Sequence, residues 1–171
     1  MIIAFPVLLL FVLFSEKRRK TVLHRLTLTS HFSFLTSHLS QPPLWIHALS
    51  VGEVLSAIPI VRTLKSGIGT IPIVFSASTY SGFETAVNML NQDADGIFYF
   101  PYDFSPCVRR AVRYINPLSV FIVETDIWPN FLLHLKKQSI PVMLVNARLS
   151  EKSFSGYISC CQPSTLRYWR K

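Results

Sequence analysis

Cysteine, glycine and acidic side chains are all scarce in this chain. Three cysteines occur in 171 residues: Cys107, Cys160 and Cys161. They form no C-x-x-C pair, and two adjacent cysteines make a poor disulfide framework. This argues for a reducing compartment and against a metal site, so no metal is expected. The six glycines supply neither G-x-G-x-x-G nor G-x-x-x-x-G-K-[ST], which weakens dinucleotide and P-loop readings, and no cofactor is expected. H-E-x-x-H and the G-x-S-x-G nucleophile elbow are missing too. Acidic residues number nine against 17 Lys and Arg, for a formal charge of +8.

That excess of positive charge resembles a nucleic-acid signal, but its distribution opposes one. Residues 1–50 carry five Lys/Arg against one acid, residues 51–157 carry nine against eight, and residues 158–171 carry three against none. The middle is nearly neutral, and no nucleic-acid partner is expected. Half the residues are hydrophobic and 15% are charged, which excludes a disordered chain. The length suits one domain with a real core.

What is present begins with an apolar run over residues 2–14, followed by Lys17-Arg18-Arg19-Lys20. Thirteen residues span roughly 20 Å as helix, short of a hydrocarbon core of about 30 Å. A secretory signal would place its charges before the run; here they follow it, which keeps the rest of the chain cytoplasmic. Residues 1–20 are read as a membrane-associating segment, a shallow anchor or marginal signal-anchor against anionic lipid. Residues 21–43 read as a linker with a seven-residue repeat that places His24, His31 and His38 at equal spacing. Two helical turns, roughly 10 Å, separate successive histidines, too far apart to share an ion.

From Leu44 onward, short β-rich runs alternate with helix-length segments. Strands are predicted at 44–48, 71–76, 97–100, 118–123 and 141–145, and helices near 51–66, 79–91, 105–115 and 127–138. Phe121-Ile122-Val123 and Val142-Met143-Leu144-Val145 are continuously apolar, as strands buried on both faces should be. Ser50-x-x-Glu53 and Ser81-x-x-Glu84 match the capping-box pattern. Pro129 fits a first helical turn. The alternation predicts an α/β fold with a Rossmann-like parallel sheet.

In such a sheet every strand ends at the same edge. His47 to Glu53 follow the first strand, Ser76 to Thr79 the second, Glu124-Thr125-Asp126 the fourth, and Asn146-Ala147-Arg148 the fifth. Polar groups therefore gather where α/β folds bind ligands. On local pattern alone each has a bland alternative. Glu53 can be a helix cap, Glu124 a strand-end carboxylate paired with Arg148, Asn146 a turn residue, Trp128 a core residue, and His47 a hydrogen-bonded core histidine.

Four segments carry a more specific signal. Trp45-Ile46-His47-Ala48-Leu49-Ser50-Val51-Gly52-Glu53 resembles the W-I-H-A-x-S-V-G-E motif of the Kdo (3-deoxy-D-manno-octulosonic acid) transferases of lipopolysaccharide biosynthesis. Pro101-Tyr102-Asp103, Glu124-Thr125-Asp126-Ile127-Trp128-Pro129-Asn130 and Ile140 to Ser150 resemble further motifs of that family, in the same order. The resemblance covers roughly 44–157. It implies the N-terminal half of a GT-B glycosyltransferase with no metal requirement, whose N-terminal domain binds lipid A precursor (lipid IVA) and whose C-terminal domain binds CMP-Kdo. It implies association with the membrane surface at the cytoplasmic face of the bacterial inner membrane. It makes Glu53 the general base and Glu124 the group that supports transition-state charge, with Ser50, Gly52, Asn146 and Arg148 as substrate-binding candidates.

Three departures accompany the resemblance. Asp126 stands where the family has glutamate. The histidine repeat has no family counterpart. Residues 158–171 lack family character, so residues 44–157 are read as an incomplete acceptor-binding domain followed by an off-pattern tail. A frameshifted or truncated gene product, inactive for want of a donor domain, is the expectation. The competing reading is a non-enzymatic α/β module that binds an anionic glycolipid or a partner chain.

Overall fold

The computed structural model describes residues 22, 25 and 26, and residues 39–124 and 127–147. The apolar run at 2–14, the three repeat histidines, Asp126, Arg148 and the tail lie outside the described residues.

From Leu44 the chain runs β1 (Leu44–Ala48), α1 (Val51–Gly67), β2 (Ile73–Ala77), α2 (Tyr80–Leu90), β3 (Gly96–Tyr99), α3 (Ser105–Ile115), β4 (Ser119–Val123), α4 (Pro129–Lys137) and β5 (Val142–Val145). All strand pairs are parallel, in the order β3-β2-β1-β4-β5. The fold is the expected Rossmann-like α/β arrangement. The chain builds outward from β1 through β2 to β3, then returns to place β4 on the other side of β1. The order reverses between β1 and β4, and that is where α/β sheets open a crevice.

Alternation along the strands feeds two cores. Trp45, Val74, Phe98, Phe100, Val120 and Ile122 face α3 and α4, meeting Val108, Ala111, Val112, Ile115, Phe131 and Leu135. Leu44, Ile46, Ala48, Ile73, Phe75, Ala77 and Val123 face α1 and α2, meeting Val54, Ala57, Ile58, Val61, Ala86 and Leu90. Trp45 is fully buried and packs edge-on to Phe131, ring centres 4.8 Å apart. The N-terminal Pro129 of α4 sits where its missing N–H costs nothing.

Two local expectations are corrected. The N-cap of α2 is Thr79, whose hydroxyl accepts from the Gly82 N–H at 3.1 Å; Ser81 lies inside the helix. Thr79 starts the helix two residues earlier because Phe83 N–H already bonds the Thr79 carbonyl. β5 is not buried on both faces: Val142, Met143 and Leu144 are 37%, 57% and 50% exposed. Among the described residues it pairs with β4 alone and is an edge strand, and its continuous apolar run is not matched by cover on both sides.

Candidate functional site

The C-terminal edge of the sheet gathers two of the site candidates in a row with Leu49. β1 pairs β4 with Leu44 opposite Ser119, and β4 pairs β5 with Val123 opposite Val145. Continuing both registers brings Leu49, Glu124 and Asn146 level on adjacent strand ends, each about 4.8 Å from the next. The Glu124 N–H donates to the Val145 carbonyl at 2.8 Å, which confirms that level.

Glu53 joins this row through Leu49. Its carboxylate accepts the Leu49 N–H and, at 3.3 Å, the Ser50 hydroxyl, and the residue is 6% exposed. This differs from a capping box. Ser50 is the N-cap of α1 but its hydroxyl caps no helix N–H; it turns to the carboxylate instead. Glu53 reaches past Ser50 to the N–H of the residue before it. The carboxylate is therefore drawn back from the helix to the end of β1, across the switch point from Glu124.

The loop holding Glu53 is braced from the other side. The Leu49 carbonyl accepts the Thr79 N–H at 3.1 Å. Gly82 lets the first turn of α2 come this close: a Cβ there would lie 2.8 Å from the Thr79 hydroxyl and 3.3 Å from the Leu49 carbonyl oxygen. Gly52, by contrast, is exposed and a Cβ there would meet nothing within 4 Å, so it faces open space beside Glu53.

Glu124 and Asn146 both adopt left-handed backbone, φ 65° and 56°. Asparagine tolerates this region; glutamate does so at a cost. Such outliers collect at sites where chemistry needs a side chain in a set place. Asn146 is exposed and Glu124 partly buried. Arg148, the proposed pairing partner of Glu124, lies outside the described residues.

Below the row lies a polar layer at the end of the α3–α4 core. His47 is fully buried, with Nδ1 2.9 Å from the Ser76 hydroxyl, which also accepts the Trp45 indole N–H at 2.8 Å. The imidazole stacks on Phe100, ring centres 3.9 Å apart. Burial pushes its pKa down to about 3, the Ser76 carbonyl opposes the shift, and the Arg25 charge adds to it. His47 is thus held neutral within the core. Arg25 reaches this layer from ahead of β1, donating to the carbonyls of Phe100 at 2.8 Å and Ser78 at 3.4 Å, with its guanidinium 4.0 Å from the Tyr102 ring centre.

Sequence reasoning assigned no role to Asp103, which the structure makes the clasp of the site. Its carboxylate accepts the N–H groups of Asn130 at 3.1 Å and Phe131 at 2.9 Å, and its carbonyl accepts the Asn130 side-chain amide at 2.8 Å. It caps α4 from another loop and so holds the N-terminus of α4. No local spacing reveals such a cap, since its carboxylate is 27 residues away from the helix it serves. Arg25 was missed for the same reason; the Thr79 cap is local, and the Ser81-x-x-Glu84 pattern drew the reading away from it.

A shallow cleft lined by Leu39, Lys65, Thr70 and Asp95 lies at the opposite edge of the sheet, ahead of β2, away from these groups. Among the described residues no three His, Cys, Asp or Glu side chains are placed to hold one metal ion, and no helix is long and apolar enough to cross a membrane.

Residues 22–169 match a family model described as 3-deoxy-D-manno-octulosonic-acid transferase (kdotransferase). The matched range is wider at both ends than the motif-bearing 44–157. The 3-deoxy-D-manno-octulosonic acid transferase of Haemophilus influenzae is 32% identical over 92% of this chain and 36% of its own length. A probable mitochondrial 3-deoxy-D-manno-octulosonic acid transferase of Arabidopsis thaliana is 32% identical over 70% of the chain and 27% of its own length. A bifunctional glycosyltransferase/methyltransferase of Fusobacterium nucleatum is 29% identical over 84% of the chain and 22% of its own length. The chain thus spans between a fifth and two fifths of these curated relatives.

Proposed function

This chain belongs to the 3-deoxy-D-manno-octulosonic-acid transferase family, and we propose that it is the acceptor-binding part of an enzyme that moves Kdo from CMP-Kdo to lipid A precursor at the cytoplasmic face of the inner membrane. The observation that carries this reading is the Glu53 carboxylate, held by the Leu49 N–H at the end of β1 and set across the switch point from Glu124.

In this reading an acceptor sugar hydroxyl lies beside Glu53. Its oxygen attacks the anomeric carbon of Kdo, its proton passes to the Glu53 carboxylate, and the bond to the CMP phosphate breaks with the electron pair leaving on CMP. A free hydroxyl is a weak nucleophile, so a positioned carboxylate base is worth about 10²–10⁴ in rate. Glu124 meets charge that develops as the bond to CMP breaks. Gly52 leaves room for the acceptor to approach, and Ser50 orients the base through its hydroxyl. Asn146 and Arg148 bind substrate further along the edge. The donor is held by sequence of the kind that the longer relatives carry beyond the matched region.

The test is a chimera in which this chain replaces the matching part of the Haemophilus influenzae relative. The expected result is transfer of labelled Kdo from CMP-Kdo to lipid IVA, while the 171 residues alone bind lipid IVA without turnover. A folded chimera that makes no product overturns the reading.

A further inference from the structure

The near-neutral middle of the chain is not neutral everywhere on its surface. On the α1–α2 side, positive charge is matched: Arg62 pairs with Asp93 at 3.1 Å and Lys65 with Asp95 at 2.9 Å. On the α3–α4 side it is not. Residues 104–123 and 127–147 contain Arg109, Arg110, Arg113, Lys136 and Lys137 and no acidic residue at all. α3 buries Val108, Ala111, Val112 and Ile115, and the three arginines occupy its exposed side. Lys136 already has an interaction partner. Among the described residues no ion pair joins Arg109, Arg110, Arg113 or Lys137 to an acid.

The two helices present this charge as one field. His134 on α4 has its pKa lowered by burial first, then by Arg109 from α3 and by Lys137. A large apolar side chain stands among the cations: Leu133 is 49% exposed on α4, one turn from Lys137.

We infer that the outer face of α3 and α4 is a second contact surface for anionic lipid, with Arg109, Arg110, Arg113 and Lys137 meeting headgroups and Leu133 entering the interface. Basic side chains around an exposed leucine, on helices that lie flat on a sheet, suit a lipid surface. A nucleic-acid groove would instead want a concave stripe with stacking aromatics. The inference stands apart from the transferase reading, since it rests on charge and exposure away from Glu53.

Co-sedimentation of the full 171-residue chain with vesicles of neutral phosphatidylcholine, alone or with one-fifth phosphatidylglycerol, tests it. Two variants each lose two positive charges: Arg109→Gln with Arg113→Gln on α3, and Arg62→Gln with Lys65→Gln on α1. Each surface cation in contact is worth about fivefold in binding, so the α3 pair should weaken binding to the anionic vesicles by about 30-fold. The α1 pair should change it less than threefold, and Leu133→Ser should weaken it further at high salt. All these positions are on the surface, and unchanged circular dichroism melts confirm that each variant is folded. Equal losses for the two pairs would mean net charge alone acts, and would overturn the inference. So would an unchanged α3 variant, or tighter binding to duplex DNA than to the anionic vesicles.

Discussion

Glu124 shows what a single residue can report. Its neighbours in the strand are unstrained, yet it holds φ 65° at the very end of β4. A carboxylate without a task there would be replaced at no loss by a residue that accepts the left-handed region. Glu124→Asn should therefore stabilise the fold by about 0.5–1 kcal/mol while lowering Kdo transfer in the chimera. Urea unfolding and product formation read the two effects separately; a variant both less stable and fully active would refute the assignment. Gly52→Ala is the companion case. Open space around the position predicts no loss of stability, and reduced acceptor binding would show that substrate occupies that space.

Among the elements, the N-termini of α2 and α4 are held differently, the first by its own N-cap Thr79 and the second by Asp103 from another loop. Thr79 caps α2 and also donates its N–H to the Leu49 carbonyl, so losing the cap loosens the loop under Glu53. Thr79→Val should cost about 1 kcal/mol. Gly82→Ala drives a Cβ into the same hydroxyl, so the double variant should cost less than the sum of the singles. Asp103→Asn should cost about 1–2 kcal/mol by removing charge from the two N–H bonds at α4. Additive losses for Thr79 and Gly82 in urea melts would show that the two do not act through one cap.

Across the whole molecule, the burial of His47 links stability to pH. The folded chain keeps the imidazole neutral down to about pH 3, whereas the unfolded chain takes up a proton near pH 6.5. Stability is therefore complete above pH 6.5 and falls as pH drops toward 3, by on the order of 4 kcal/mol in total. Denaturation midpoints at pH 7 and pH 4, with His47→Gln for comparison, check this; a flat profile in the unsubstituted chain contradicts it.

The same view shows what the sequence made legible. Strand β1 and helix α3 appear at their predicted bounds, because an apolar run and an amphipathic stripe are local signals. Helix α1 runs through Pro59, as expected, since the buried positions Val54, Ala57, Ile58 and Val61 lie on the other side and fix it to the sheet. The row formed by Leu49, Glu124 and Asn146 was readable from the rule that parallel strands end together. The cover on β5, the Asp103 clasp, the Arg25 contacts and the segregation of charge were not. Each depends on which elements lie side by side, and a neutral sum over 107 residues hides a basic face.

The central claim is that Glu53 is a base placed by the fold. Glu53→Gln in the chimera keeps an acceptor for the Leu49 N–H and removes only the proton-accepting charge. The account predicts a fall in the rate of Kdo transfer of about 10²–10⁴, with lipid IVA binding and thermal stability unchanged. A Glu53→Gln chimera that transfers Kdo within threefold of the unsubstituted chimera would contradict it.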